Sequence, residues 1–220
     1  MEAEINHFVE KKAMLRKFYK KFMRNGRRLI IQKYGKQKGE RLLKELWITF
    51  ESLIPEMPII RTDDPALERH VILQTIYLAI YKTLKKRDEK TEDIWQLCAD
   101  MIDKMFQSIP KYLKWLVGKN LFSNKEKMRI MSSAITSHVI NYSEDFQFDY
   151  IVGDGNHFEY GYNMTQCPAC AFYKRQNAEE FTPYVCRTGE LFSKHYGYKL
   201  IRTQTLANGY KYCDFRFKQN

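Results

Sequence analysis

From residue 5 to residue 22 the apolar side chains Ile5, Phe8, Val9, Leu15, Phe18, Tyr19 and Phe22 return every three or four positions among lysines and arginines. That is the period of an amphipathic helix, which Gly26 should end. Leu29 to Tyr34, then Leu42, Leu43, Leu46, Trp47, Phe50 and Leu53, predict a second helical region interrupted near Gly35 and Gly39. Pro55 and Pro58 mark a loop. Asp64-Pro65 is a helix start, because Asp64 can accept from orphan N–H groups while Pro65 needs no donor of its own. The helix it opens runs through Leu67, Val71, Ile76, Ile80 and Leu84 and dissolves in the charged run from Lys85 to Lys90. Thr91 caps a further helix through Ile94, Leu97, Met101 and Met105, and Ser123 with Glu126 forms a capping box before Met128, Ile135 and Val139. Residues 1–142 thus read as a helical region of about six helices.

The period changes after that. Phe146, Phe148, Tyr150 and Val152 recur at every second position, Gly153-Asp154-Gly155-Asn156 is turn chemistry, and His157 to Met164 is aromatic and extended, so a hairpin is expected. Short helices from Pro168 to Gln176 and from Glu179 to about His195 follow, then strands from Tyr198 to Thr203 and Tyr212 to Lys218. Residues 143–220 read as an α+β region, with an antiparallel sheet and two short helices, and the whole chain as an α+β protein.

The chain has 220 residues and a formal net charge of +11. That length buries a core, and 44% hydrophobic content excludes disorder as the dominant state. The acidic start lacks the basic and apolar regions of a secretory signal, and no apolar run reaches the ~18–20 residues that span a bilayer, so a cytoplasmic location without membrane association is expected. The first fifty residues hold 14 Lys and Arg against 5 Asp and Glu. Such a cluster, from Lys11 to Arg28, can follow a nucleic-acid backbone, but with no accompanying recognition motif it reads first as the solvated face of a helix, and a nucleic-acid partner is not expected.

Five cysteines, Cys98, Cys167, Cys170, Cys186 and Cys213, argue against a disulfide framework in such a chain. Cys98 lies on an apolar helix face and reads as core filler. Cys167-Pro168-Ala169-Cys170 has the spacing of a zinc-binding or redox pair, with Cys186 and Cys213 as the remaining zinc ligands in the metal reading. Alternatively Cys167, before Pro168 at a helix start, is a nucleophile whose thiolate the helix N-terminus stabilises. His157 and His195 are candidate bases, and Asp214 a proton relay. In the last strand Cys213, Phe215 and Phe217 share one face, Asp214 and Arg216 the other.

Three stretches carry a resemblance: Tyr162-Asn163-Met164-Thr165-Gln166-Cys167-Pro168, Pro183-Tyr184-Val185-Cys186, and Arg202-Thr203-Gln204-Thr205-Leu206-Ala207-Asn208-Gly209 with Cys213-Asp214-Phe215-Arg216-Phe217. In them the sequence resembles the L-2-amino-thiazoline-4-carboxylic acid hydrolase family, most closely over residues 145–218. Cys167, Cys186 and Cys213 fall where that family carries cysteine. Gly189 stands where the family typically shows an acid, with Glu190 beside it, and Cys170 is an addition to the pattern. The resemblance implies hydrolytic opening of a cyclic amidine-like ring to N-carbamoyl-L-cysteine, or action on a related small heterocycle, without a cofactor. Cys167 would be the nucleophile, Cys186 and Cys213 its neighbours, and Asp214 or His195 the proton carrier. Arg202 or Arg216 would bind the substrate carboxylate beside Thr203 and Thr205. Two alternatives stay open: a zinc site built from Cys167, Cys170, Cys186 and Cys213, and a non-enzymatic sensor of a small molecule or of zinc in the same cysteine-lined pocket. A homo-oligomer is compatible with all of these readings.

Overall fold

The computed structural model describes residues 6–61, 64–140 and 142–220, so Ile5 lies outside the described residues. Helices dominate the first part: α1 (His7–Glu10), α2 (Lys12–Tyr34), α3 (Lys36–Leu53), α4 (Pro65–Lys85), α5 (Thr91–Gln107), α6 (Lys111–Asn120) and α7 (Asn124–Ile140). Gly26 does not end the first long helix. It lies inside α2, where an added Cβ would sit 2.7 Å from the sulfur of Met101 on α5. The glycine therefore serves a close helix crossing, and the break comes at Gly35, whose φ of 80° turns the chain into α3. Asp64 accepts from the Ala66 N–H at 2.9 Å and starts α4 as expected. Ser123 likewise accepts from the Glu126 N–H at 3.2 Å, whereas at α5 the capping position belongs to Lys90, one residue before Thr91.

α4 is the axis of the molecule. From Val71 to Tyr81 every side chain is buried, including the polar Gln74 and Thr75. A helix apolar on all sides has no solvent face to offer, so it must be packed around, here by α3, α5 and α8.

β1 (Gln147–Val152) and β2 (Tyr160–Gln166) form the hairpin, followed by α8 (Pro168–Arg175), α9 (Thr182–Cys186), α10 (Thr188–Tyr196), β3 (Tyr198–Ile201) and β4 (Cys213–Gln219). The helical stretch expected over Glu179 to His195 is broken at Arg187 into α9 and α10. All strand pairings are antiparallel, in the order β1-β2-β4-β3. The chain is an α+β protein with its helices mostly before the sheet. The main hydrophobic core runs from Phe8 to Cys213 and joins the helical part to the inner face of the sheet, and Tyr160, Tyr198 and Phe217 form a smaller cluster. Among the described residues no helix is long and apolar enough to cross a membrane.

Strand alternation decides what faces that core. Phe148 on β1, Tyr160, Tyr162 and Met164 on β2, and Cys213, Phe215 and Phe217 on β4 share the inner face by the period of two. Gly161 faces outward opposite Arg216, and a Cβ there would lie 2.3 Å from the Phe215 carbonyl oxygen, so the strands meet this closely only with glycine.

Candidate active site

Between the inner face of the sheet and α4, α7, α8, α9 and α10 lies a cavity of about 360 Å³. Four cysteines line it: Cys167 and Cys170 from the start of α8, Cys186 from the end of α9 and Cys213 from the start of β4. The fifth, Cys98, is buried in the helical core, where burial pushes its thiol far up.

The four are not equivalent. Cys167 is the N-cap residue of α8, in extended conformation at φ −129° and ψ 113°. Its side chain closes no regular capping bond, but the Cys170 thiol donates to it. That hydrogen bond, more than the nearby N–H groups of Cys170 and Ala169, overcomes desolvation and lowers the Cys167 thiol to about 7. The same bond, with burial, pushes Cys170 up, so Cys167 holds the thiolate and Cys170 the proton. Burial raises Cys186 to about 12. Burial also raises Cys213, although the Leu206 N–H donates to its sulfur at 3.1 Å.

Arg202 brings positive charge to the cavity wall. Its side chain is 7% exposed, pairs with Glu190 at 3.1 Å, donates to the Cys186 carbonyl at 3.1 Å and lies over the Phe215 ring. A second guanidinium, Arg129 on α7, also lines the cavity, but Asp64 and Glu126 neutralise it between them. Arg202 faces one acid and Arg129 two, so Arg202 is the better placed to receive an anion. Gly189 lies on the cavity wall against Leu200, where a Cβ would meet the Leu200 side chain at 3.0 Å. The neighbouring Glu190 is the acid that pairs with Arg202.

The other residues expected from the sequence are placed elsewhere. Asp214 and Arg216 project from the outer face of β4. Asp214 accepts from the Thr203 N–H, the Thr203 hydroxyl and the Gln204 N–H, at 2.9, 2.6 and 2.8 Å, and so fixes the loop after β3. Partial burial opposes its ionisation, but these donors prevail and hold the carboxyl below its usual range. Arg216 is spent on Asn163 and on the carbonyls of Tyr162 and Phe215. His195 pairs with Asp103 at 2.6 Å and stacks on Phe106, away from the cavity. His157 pairs with Asp154 on the hairpin turn. Thr203 is exposed, and the buried Thr205 hydroxyl has no hydrogen-bond partner and does not line the cavity.

The cavity instead contains a histidine that sequence reasoning passed over. His70 of α4 lines it, and burial lowers the imidazole to about 4, so at neutral pH it is uncharged. The Gln74 amide nitrogen, one helical turn on, lies 3.4 Å from His70 Nε2, while Tyr173 donates to the Gln74 carbonyl oxygens. With that nitrogen donating, the imidazole proton sits on Nδ1. The signal was the pair His70 and Gln74 at i and i+4, with Gln74 inside the buried stretch of α4. Tyr162, from one of the family stretches, also lines the cavity and is pushed up by burial.

Among the described residues no three His, Cys, Asp or Glu side chains gather as a group that could hold a metal ion.

The wall of the cavity is largely apolar, and thiols, a buried guanidinium and a neutral imidazole are among its polar groups. The model of the L-2-amino-thiazoline-4-carboxylic acid hydrolase family matches residues 68–217, from α4 through β4, and the chain belongs to that family. No curated protein and no solved structure matches it.

Proposed function

We propose that the protein hydrolyses a small cyclic amidine-like carboxylate, of the type of L-2-amino-thiazoline-4-carboxylate, with Cys167 as nucleophile. The observation that carries this reading is the difference among four thiols in one cavity. Three are held protonated, and the one at the start of α8 is activated by its neighbour.

The carboxylate of the substrate pairs with Arg202. The Cys167 thiolate adds its electron pair to the ring carbon between sulfur and nitrogen, which is electrophilic once the ring nitrogen is protonated. The bond from that carbon to the ring sulfur then breaks, its electrons stay on sulfur, and the sulfur takes a proton. What remains on Cys167 is an isothiouronium. Water adds to its carbon, the bond to Cys167 breaks, and the thiolate is regenerated as the urea of N-carbamoyl-L-cysteine leaves. The two protons taken up on opening are returned on hydrolysis, so one water is consumed. His70, neutral and with its proton on Nδ1, is the hydrogen-bond donor to the departing sulfur, the role that neither Asp214 nor His195 can fill from its position.

The test is incubation of the purified protein with L-2-amino-thiazoline-4-carboxylate, with chromatographic detection of N-carbamoyl-L-cysteine and intact-mass measurement of the protein during turnover. Product formation that disappears in Cys167→Ser is expected. Turnover unchanged in that variant would remove Cys167 from the mechanism.

A further inference from the structure

The Cys170 thiol is an addition to the three-cysteine pattern of the resemblance, and in hydrolysis as written it supports the Cys167 thiolate but makes and breaks no covalent bond. Its position is nevertheless specific. Cys167 precedes α8 and Cys170 is the third residue of that helix, so both side chains project to the same side of its first turn. Cys170 is also the neighbour that lowers the Cys167 thiol most. Both are part-exposed and both line the cavity, so a small reagent that reaches one reaches the other. The competing thiols are worse placed. Cys213 is buried with its sulfur tied to the Leu206 N–H, Cys186 sits on another helix, and Cys98 lies in the core.

We propose that Cys167 and Cys170 form a reversible disulfide on reaction with a low-molecular-weight disulfide such as oxidised glutathione, and that this bond switches the cavity off by removing the free Cys167 sulfur. In the first step the Cys167 thiolate attacks one sulfur of the reagent, forms a mixed disulfide and expels one thiolate. In the second, Cys170 gives up its proton and attacks the Cys167 sulfur, closing the internal bond and expelling the other half of the reagent. Two electrons pass from the protein dithiol to the reagent, which leaves as two thiols. A third protein thiol is not needed, because both cysteines belong to the first turn of one helix and line one cavity.

Loss of turnover on oxidation rests on the hydrolase reading, whereas formation of the bond does not, and the experiment reads the two separately. The full chain is treated with oxidised glutathione at pH 8, alkylated, digested without reduction and mapped by mass spectrometry. The expected product is a peptide carrying a Cys167–Cys170 bond, lighter by two hydrogens, which dithiothreitol reverts. Cys170→Ser should instead accumulate glutathione on Cys167. Should that variant not fold, Cys170→Ala serves the same purpose. A stable glutathione adduct on Cys167 of the unmodified chain, a bond from Cys167 to Cys186 or Cys213, or no oxidation of Cys167 would each overturn the proposal. Ring-opening activity is measured on the same samples. Activity that persists in fully disulfide-bonded protein would refute the switch and leave the bond standing, while absence of activity in the reduced protein would count against the hydrolase reading alone.

Discussion

The thiolate at Cys167 owes its stability chiefly to one neighbour, and removing that neighbour should be measurable without any substrate. In Cys170→Ala the S–H donor is gone while the backbone of α8 is left intact, so the Cys167 thiol should move from about 7 towards the ordinary value of about 8.5. At pH 7 the thiolate fraction then falls from about one half to about 3%, roughly fifteenfold. The thiolate that remains is the more nucleophilic for its higher basicity, by about fivefold at a Brønsted slope of 0.4–0.5, so the alkylation rate at pH 7 should fall only about threefold. At pH 9.5 and above, where both proteins are fully ionised, the same slope makes the variant faster than the parent. The assay is the rate of iodoacetamide labelling of Cys167 across pH 5.5–10, followed by peptide mass spectrometry, and the expected result is a pair of curves that cross. Two curves with the same midpoint, near 7 or near 8.5, would refute the reasoning: the first would assign the shift to the helix terminus, the second would mean that Cys167 was never activated.

Arg202→Ala should raise KM for a carboxylate-bearing substrate by about tenfold or more and leave KM for the corresponding amide nearly unchanged, read from steady-state kinetics on both; equal effects would deny the anchoring role. His70→Phe should lower kcat by about 10²-fold or more with little change in KM, since the lost donor acts on the departing sulfur. Because burial depresses His70 to about 4, the unfolded chain binds one proton more than the folded chain between that value and about 6.5. Stability is therefore full above pH 6.5 and is lost as pH falls towards 4, by up to about 3 kcal/mol, and urea midpoints at pH 7 and pH 5 should differ less in His70→Phe than in the parent. Thr205→Val removes a buried hydroxyl that has no partner and should leave Tm unchanged or raised, as checked by calorimetry; a loss of several degrees would mean that the hydroxyl is bonded in solution.

What could be read from the chain beforehand followed from local periodicity. The switch from a helical to a two-residue period near Phe146 located the sheet, and Asp64-Pro65 and Ser123 with Glu126 located two helix starts, because caps and strand alternation are set by neighbours a few residues away. Gly26 was misread because a glycine inside a helix and a glycine ending one look alike until the partner helix, with Met101, is in place. The same limit governs the site. On β4 the alternation already separates Cys213 from Asp214 and Arg216, so one cavity cannot hold all three; which side faces the helices is decided by Phe215 and Phe217, whose apolar surface belongs inside. Asp214 then becomes a brace for the Thr203 loop, and Arg216 a strap across Gly161. His70 was hidden for the opposite reason. From Val71 to Tyr81 α4 is buried on every side, so its period does not tell which face meets the sheet, and His70, just before that stretch, is recognised only when the other walls of the cavity are in place. The polar residues that strand parity exposes were therefore overvalued, and the one at the edge of a largely buried helix was missed. Both errors have one cause: a cavity is defined by the surfaces that meet across it, and those come from segments as far apart as His70 and Cys213.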